Sequence, residues 1–201
     1  MTELLDLAGL VPAAGASRRM GRDKRRLPFR GQTVLEVTVD SLRRGGLRPL
    51  AVVLEAESPC GGLPGLQDVI RLTNPSPQRG MLSSIRVGLA ELARRGVDGV
   101  AVLPGDHPFV PPTAVRRLHA AFSARRPLLL APRFGGRRGH PLLIARALFD
   151  EALACDDDVG LRQLVHRRAA DLLELALEDP AAEDDLDLPS DLRRLERRPG
   201  D

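Results

Sequence analysis

The segment from residue 10 to residue 31 has the residue types and spacing of a phosphate-binding site. An apolar stretch, Leu7 to Val11, predicts a strand, and the small residues of Ala13 to Ser17 follow it closely. Small residues let backbone N–H groups approach a ligand, and successive N–H groups in a turn form an anion-binding concavity. Arg19 and Lys24 add positive charge to the same loop. We therefore expect the loop to hold phosphates, although neither common glycine-rich nucleotide pattern is present.

Lys24 is the only lysine of the chain, whose other 29 basic residues are arginine. A bias toward arginine codons explains the arginines, but it does not explain why the one lysine lies in this loop. An ammonium is a compact point charge, whereas a guanidinium is a broad planar fork. We therefore expect position 24 to need a compact donor close to a phosphate.

A second candidate site follows the apolar segment 99–103 and reads Pro104-Gly105-Asp106. Mg²⁺ prefers one or two carboxylates together with phosphate oxygens and water. The simpler interpretation is an aspartate that begins a turn, a position that Asp favours. Because both loops follow buried strands, we expect Lys24 and Asp106 to face each other across one cleft, with Asp106 holding the metal.

The elements that must position these loops alternate between strands and helices. Strands are predicted at 7–11, 49–55, 68–73, 99–103, 128–132 and 171–177. Thr33 and Glu36 have the spacing of a capping box, which predicts a helix that ends at Gly45. Further helices are predicted at 81–95, from Pro112 onward, at 147–154 and at 160–168, the first with Met81, Ile85, Gly88 and Leu92 on one face.

This alternation predicts an α/β fold with three Rossmann-like layers: a mostly parallel sheet with helices on both faces. In such sheets, ligands bind at the carboxyl ends of the strands, where the strand order reverses. We expect a single domain over residues 1–192 and a frayed tail over 193–201.

Composition narrows the class of protein. The net charge of +3 is mild, and the chain has no Trp, no Tyr and five Phe. Nucleic-acid binding usually needs a basic stripe with aromatic stacking platforms, and a membrane span needs about 18 apolar residues in a row. Cys60 and Cys155 form no CxxC pair. We therefore expect a cytoplasmic protein with inert cysteines that binds neither nucleic acid nor a membrane.

Together these motifs resemble those of a known family. They read A-A-G-x-S-x-R-M-G-x-x-K at 13–24, L-P-F-x-G at 27–31, L-P-G-D-x-P at 103–108 and G-H-P at 139–141. Weaker matches lie at 74–88, 158–162 and 185–191, so the resemblance spans almost the whole chain. The sequence is similar to the molybdenum cofactor cytidylyltransferase branch of the MobA-like NTP transferases, which implies a glycosyltransferase-A-like nucleotidyltransferase fold.

The resemblance also implies roles for individual residues. Arg19 would bind the outer phosphates, Lys24 the α-phosphate and Asp106 a Mg²⁺ ion. The implied nucleotide-binding residues are Ala13, Ala14, Gly15, Ser17, Asn74, Gly80 and Ser84. The implied acceptor-binding residues are His140, Asp158, Arg162 and Asp187, the last also a candidate second metal ligand.

Several of these residues have a plainer interpretation. Ser84 also fits a simple residue of a helix N-terminus, and His140 fits a polar group satisfied beside Pro141. The run Asp156 to Asp158 fits an acidic segment that complements the dipole of the following helix. The pair Arg25-Arg26 stands where the family has an apolar pair. We expect it not to touch the phosphate ligands, and we assign no role to His107.

The function implied is transfer of CMP from CTP to molybdopterin–molybdate, a phosphorylated small-molecule acceptor, with release of pyrophosphate. Ala14 stands where the guanylyl branch has glycine, and its Cβ would narrow the base pocket toward a pyrimidine. A molybdoenzyme that receives the product is an expected partner. The alternatives are a nucleotidyltransferase of the same superfamily that acts on a sugar phosphate or other metabolite, and a non-catalytic chaperone that binds nucleotide or cofactor.

Overall fold

The computed structural model describes residues 4–15 and 23–177, in which ten strands and five helices alternate. The strands are β1 (Leu7–Pro12), β2 (Pro28–Phe29), β3 (Gln32–Thr33), β4 (Leu50–Glu55), β5 (Ile70–Asn74), β6 (Gly99–Val102), β7 (Leu129–Phe134), β8 (Arg137–Arg138), β9 (Leu142–Ala145) and β10 (Leu172–Leu177). The helices are α1 (Val34–Arg44), α2 (Met81–Arg94), α3 (Pro112–Arg125), α4 (Phe149–Leu153) and α5 (Leu161–Arg167). The predictions for Ser17, Arg19, Asp187 and the tail at 193–201 lie outside the described residues.

The main sheet has the strand order β10-β7-β9-β6-β1-β4-β5, with β8 paired to β7. Strand β1 is parallel to both of its neighbours, β4 and β6, and β9 is antiparallel to β6 and β7. Strands β2 and β3 form a separate hairpin. The predicted mostly parallel sheet is confirmed. Strand β9 runs the other way because the chain reverses at Gly135 and Gly136, directly after β7, and no crossover helix follows, so that β8 and β9 are both antiparallel to β7.

Both faces of the sheet are covered, as predicted. Leu7 and Val11 of β1 belong to one apolar core, which they share with residues of α1 and α3. Ala8 and Leu10 of the same strand belong to the other core, with residues of α2, α4 and α5. Successive side chains of a strand point to opposite faces, so one buried strand contributes to two cores.

Helix α1 begins at the predicted capping box. The Thr33 hydroxyl accepts from the Glu36 N–H at 3.3 Å, and the Glu36 carboxylate accepts from the Thr33 N–H at 2.9 Å. Gly45 caps the other end of the helix. Local sequence therefore sets both ends of α1, the helix that follows the first candidate loop: a capping box at its start and a glycine at its end.

Helix α2 packs closely against the middle of the sheet. A Cβ at Gly88 would overlap the Leu10 side chain of β1, so the glycine allows this close approach. Met81 shares the predicted face with Ile85, Gly88 and Leu92, but its side chain is 54% exposed. It is the first residue of the helix, and it lies at the mouth of a cavity rather than over the sheet.

Candidate active site

The two candidate loops lie side by side because β1 and β6 are adjacent parallel strands. The Gly105 N–H donates to the Pro12 carbonyl at 3.2 Å. A Cβ at Gly105 would come within 2.9 Å of the Ala13 Cβ, so the contact requires a glycine. The chain leaves β1 for β4 and β5 and then returns through α2 to β6 on the other side of β1. The strand order thus reverses at this point, where α/β sheets bind their ligands.

A pocket of about 260 Å³ opens at this reversal, and we call it the first pocket. Five residues that the sequence predicts for the nucleotide line it together with the predicted metal ligand: Ala13, Ala14, Gly15, Gly80, Ser84 and Asp106. The structure therefore brings together, in one pocket, residues that lie more than 90 positions apart in the sequence.

The N-terminus of α2 faces the first pocket through Gly80 and Ser84. Gly80 has φ of +87°, a backbone conformation that favours glycine, and it directly precedes the helix. The unpaired N–H groups of a helix N-terminus and the positive end of its dipole attract anions. This wall of the pocket can therefore hold phosphate or the polar edge of a base.

Asn74 lies behind the pocket and does not line it. Its side chain is buried, its amide donates to the hydroxyls of Ser83 at 2.8 Å and Ser84 at 2.9 Å, and its carbonyl accepts from a backbone N–H at 2.9 Å. These bonds hold the start of α2 in place. The structure thus gives Asn74 the geometry of a residue that positions Ser84.

Asp106 stands at the end of the second loop with its side chain 41% exposed. The His107 ring nitrogen Nδ1 lies 3.1 Å from the Asp106 carboxylate. Burial works to raise the pKa of Asp106, but the hydrogen bond and charge of His107, a backbone hydrogen bond and the charge of Lys24 together outweigh it. The pKa is therefore below its usual value and the carboxylate is ionised at neutral pH.

Lys24 is on the same side of the molecule as Asp106. It begins a short 3-10 turn, Lys24–Arg26, which the Asp23 side chain caps. The charge of Lys24 is the smallest of the causes that lower the pKa of Asp106. Lys24 is not among the lining residues of either pocket, so its contact with a nucleotide stays a prediction.

Arg25 corrects one expectation, since it does touch the predicted nucleotide loop. Its guanidinium donates to the Ala13 carbonyl and lines the first pocket, although the residue is only 6% exposed. The same guanidinium pairs with Asp23 at 2.7 Å and with Glu55 at 2.7 Å. The positive charge of Arg25 can be buried because the two carboxylates pair with it.

A larger cavity of about 750 Å³ adjoins the first, and we call it the second pocket. Met81 and Pro104 line both pockets. Three of the four residues predicted for the acceptor line the second pocket: His140, Asp158 and Arg162. The His140 ring packs edge-on against the His107 ring at 4.8 Å between centroids, so His107 connects Asp106 to the second pocket.

The second pocket has an apolar wall and a polar rim. The wall is formed by Leu82, Ile85, Val102, Ala131, Leu142, Leu161 and Val165. Met81 and Val159 are 54% and 48% exposed and also line this pocket. Exposed apolar side chains beside a cavity indicate a ligand or partner with an apolar surface.

The acidic run that precedes α5 is engaged by arginines. Asp157 pairs with Arg79 at 2.7 Å and also with Arg86, which ties this loop to α2. No group of three or more metal-binding side chains occurs in residues 4–15 and 23–177. Asp157 therefore fits a structural ion pair, while Asp158 faces the second pocket.

A model of the MobA-like NTP transferase domain matches residues 9–172. The chain belongs to this family of nucleotidyltransferases. The probable molybdenum cofactor guanylyltransferase of Opitutus terrae is 36% identical over 104 residues, which cover 52% of this chain. That alignment spans half the length of the relative. The Nicotine blue oxidoreductase of Paenarthrobacter nicotinovorans is 30% identical and aligns over 96% of this chain and 98% of its own length.

Solved structures of similar proteins have the same fold. Rv0371c from Mycobacterium tuberculosis H37Rv superposes with a TM-score of 0.82 at 30% identity, covering 98% of this chain and all of that one. A second structure of Rv0371c is a complex with manganese, with a TM-score of 0.77 at 29% identity and coverage of 94% and 97%. In the described part of the chain, no helix is long and apolar enough to cross a membrane.

Sequence reasoning missed two residues of the site, Arg25 and His107. A buried arginine could not be inferred from a run of basic residues because its partner Glu55 is 30 positions away. His107 had one usable signal, its place directly after the predicted metal ligand.

Burial raises the pKa of Cys60 to about 11, so the thiol stays protonated at neutral pH, as an inert cysteine does.

Removing the Arg25 guanidinium should destabilise the fold in a pH-dependent way. Burial favours a raised pKa for Asp23 and Glu55, but Arg25 holds both below their usual values. Such carboxylates stabilise the fold at neutral pH and lose that contribution as pH falls through the lowered pKa. We expect Arg25→Met to reduce the unfolding free energy by about 3–5 kcal/mol at neutral pH, and by less in acid.

Urea denaturation at neutral pH and in acid below the lowered pKa values of both carboxyls measures this difference. Arg94→Met is the control because it removes an exposed pair with Glu91. It should cost about 0–1 kcal/mol at either pH. An Arg25→Met cost that does not change with pH would contradict the assignment of a buried ion cluster.

Proposed function

We propose that the protein transfers a nucleoside monophosphate from an NTP, with CTP favoured, to the phosphate of molybdopterin–molybdate and releases pyrophosphate. The observation that carries the proposal is the pair of adjoining pockets, the first of which is lined by Asp106, a carboxylate on which the charge of Lys24 acts. One pocket has the walls of a phosphate site, and the other has a polar rim and an apolar wall. Two substrates bound in them would meet at Met81 and Pro104.

The reaction requires one anion to attack another. An oxygen of the acceptor phosphate forms a bond to the α-phosphorus of the NTP, and the bond from that phosphorus to pyrophosphate breaks. The Lys24 ammonium would offset the charge at the α-phosphate, and Arg19 would do so at the outer phosphates. Holding both substrates in line can contribute about 7–11 kcal/mol. The acceptor phosphate is already ionised, so no strong base and no covalent nucleophile are needed.

Asp106 fits a divalent metal. Its carboxylate is ionised, partly exposed and in the first pocket, and one carboxylate with phosphate oxygens is a donor set that Mg²⁺ prefers. A bound Mg²⁺ would neutralise phosphate charge and polarise the bond that breaks. The manganese complex of Rv0371c supports a divalent metal in this family. We propose Asp106 as the ligand, and Asp187 as a second one.

The acceptor we propose is a flat heteroaromatic ring system that carries a phosphate, as molybdopterin does. The apolar wall of the second pocket suits a ring face, and Arg162 suits the phosphate. His140 and Asp158 would bind the polar ring edge. A sugar phosphate fits less well, because its hydroxyls would meet apolar side chains that offer them no hydrogen bonds.

The choice of CTP rests on Ala14, a buried residue of the first pocket whose Cβ reduces the room for a base. GTP is the second candidate, because several curated relatives are named molybdenum cofactor guanylyltransferases. We propose that the protein works in the cytoplasm and hands its product to a molybdoenzyme.

Two assays test the proposed reaction. With Mg²⁺ and molybdopterin–molybdate, we expect pyrophosphate release with CTP and markedly less with GTP, ATP or UTP. Preference for GTP would overturn the cytidylyl assignment and leave the transfer reaction intact. NTP binding without pyrophosphate release would indicate the non-catalytic chaperone. A redox conversion of nicotine blue in place of transfer would indicate the activity that the name of the Paenarthrobacter relative describes.

Lys24→Arg tests the need for a compact ammonium. A guanidinium keeps the charge but is too broad for the same contact, so we expect turnover to fall by about 10²–10³-fold, as when one transition-state donor is lost. Arg26→Lys is the matched control, since it makes the reverse exchange at an exposed position of the same turn. It should leave turnover unchanged. Near-normal turnover of Lys24→Arg would contradict the role of Lys24.

A further inference from the structure

We infer that Arg25 is a positioning residue that orients Lys24 by joining three separate segments of the chain. The inference rests on the proposed function in one respect, the contact of Lys24 with the α-phosphate.

The first two segments are joined by carboxylates. Arg25 Nε and Nη2 donate to the two oxygens of Asp23, at 2.7 and 2.8 Å. Nη1 and Nη2 donate to the two oxygens of Glu55, each at 2.7 Å. Glu55 is the last residue of β4, so these two bidentate pairs fasten the Lys24 turn to the carboxyl end of β4.

The third segment is the start of the nucleotide loop. Nη1 also donates to the carbonyl of Ala13, which directly follows β1 and which donates its own N–H to Val53 at 2.8 Å. One guanidinium therefore holds the entrance of the loop and the turn that follows its exit. Residues 16–22, which lie between these two anchors, are outside the described part of the chain.

Lys24 lies between two residues of this cluster. Asp23 caps the turn by accepting from the Arg25 N–H at 3.1 Å, and the N–H groups of Arg26 and Leu27 donate back to the carbonyls of Asp23 and Lys24 at 3.1 and 3.2 Å. The backbone on both sides of Lys24 is thus fixed. The direction in which its side chain leaves the turn follows from the clamp.

Arg25 acts through geometry and not through its charge. Two carboxylates surround the single guanidinium, so the cluster as a whole offers an NTP no net positive charge. A lysine at position 25 would keep the charge but could not reach both carboxylates in the same bidentate way. Charge and geometry can therefore be separated by experiment.

The test is a double-mutant cycle between Arg25→Met and Lys24→Met, followed by single-turnover transfer from α-labelled CTP and α-labelled GTP to molybdopterin–molybdate. A displacement of about 1 Å at the reacting centre costs up to about 100-fold in rate. We expect Arg25→Met to lower the rate constant of transfer by this order with little change in KM, because Lys24 acts on the transition state. In the Lys24→Met background, Arg25→Met should have almost no further effect.

Two further variants separate geometry from charge and from general stability. Arg25→Lys should lose activity nearly as Arg25→Met does. Arg43→Met is the matched control, because Arg43 also binds two carboxylates, Asp68 and Asp40, and a backbone carbonyl, that of Gly65, away from both pockets. It should lower Tm without changing the rate. If Arg25→Met does not fold, Glu55→Gln takes its place in the cycle.

Hydrogen exchange provides a readout that does not depend on activity. The amides of Arg26 and Leu27 should exchange faster in Arg25→Met than in the wild type or in Arg43→Met. Equal losses of rate from Arg25→Met in both Lys24 backgrounds, or near-normal rates for Arg25→Lys, would overturn the inference. A wild-type protein that transfers nothing would overturn the proposed function, and unchanged amide exchange would separately overturn the clamp.

Discussion

The site depends on the parallel pairing of β1 with β6. That pairing puts the ends of two strands, about 90 positions apart in the sequence, side by side, and Gly105 lets their loops touch. The first pocket forms around this contact, since residues of both loops line it. The cation of Lys24 comes with the β1 loop and the carboxylate of Asp106 with the β6 loop, so the electrostatics of the cleft follow from the order of strands.

The β1 loop and the β6 loop each carry a charged group that needs a support to keep it in place, and the chain provides one for each loop. On the β1 side, Arg25 joins the loop to Glu55 at the end of β4. On the β6 side, His107 contacts Asp106 and packs against His140. Behind the pocket, Asn74 holds the start of α2. The groups that face the pocket are thus backed by buried or partly buried polar contacts, which is what a preorganised site requires.

The sequence predicts the parts of this fold that depend on local chemistry or on periodicity. The capping box of Thr33 and Glu36, the Gly45 end of α1 and the alternating strands of a mostly parallel sheet are all found in the structure. What depends on distant partners could not be predicted in this way. Arg25 looks like one more surface arginine until Glu55 is placed beside it. The spacing of Met81 places it on the apolar face of α2. The sheet does not extend as far as this first residue of the helix, so its side chain lines the pockets instead.

The fold alone does not decide the chemistry of the second substrate. Relatives that align over most of their length carry names as different as guanylyltransferase and oxidoreductase. The distinction must therefore lie in side chains around the pockets, since one fold can host many functions. In this chain the second pocket combines an apolar wall with Arg162, His140 and Asp158 at its rim. That combination favours a flat, phosphorylated acceptor.

The most direct test is a crystal structure of the protein with manganese and the α,β-methylene analogue of CTP, and with the GTP analogue in parallel. We predict an anomalous peak at the Asp106 carboxylate, a triphosphate between residues 13–15 and the start of α2, and the Lys24 ammonium within hydrogen-bond distance of the α-phosphate. A nucleotide bound elsewhere, or one bound here with Lys24 and Asp106 both turned away from it, would contradict the assignment of this cleft as the transferase site.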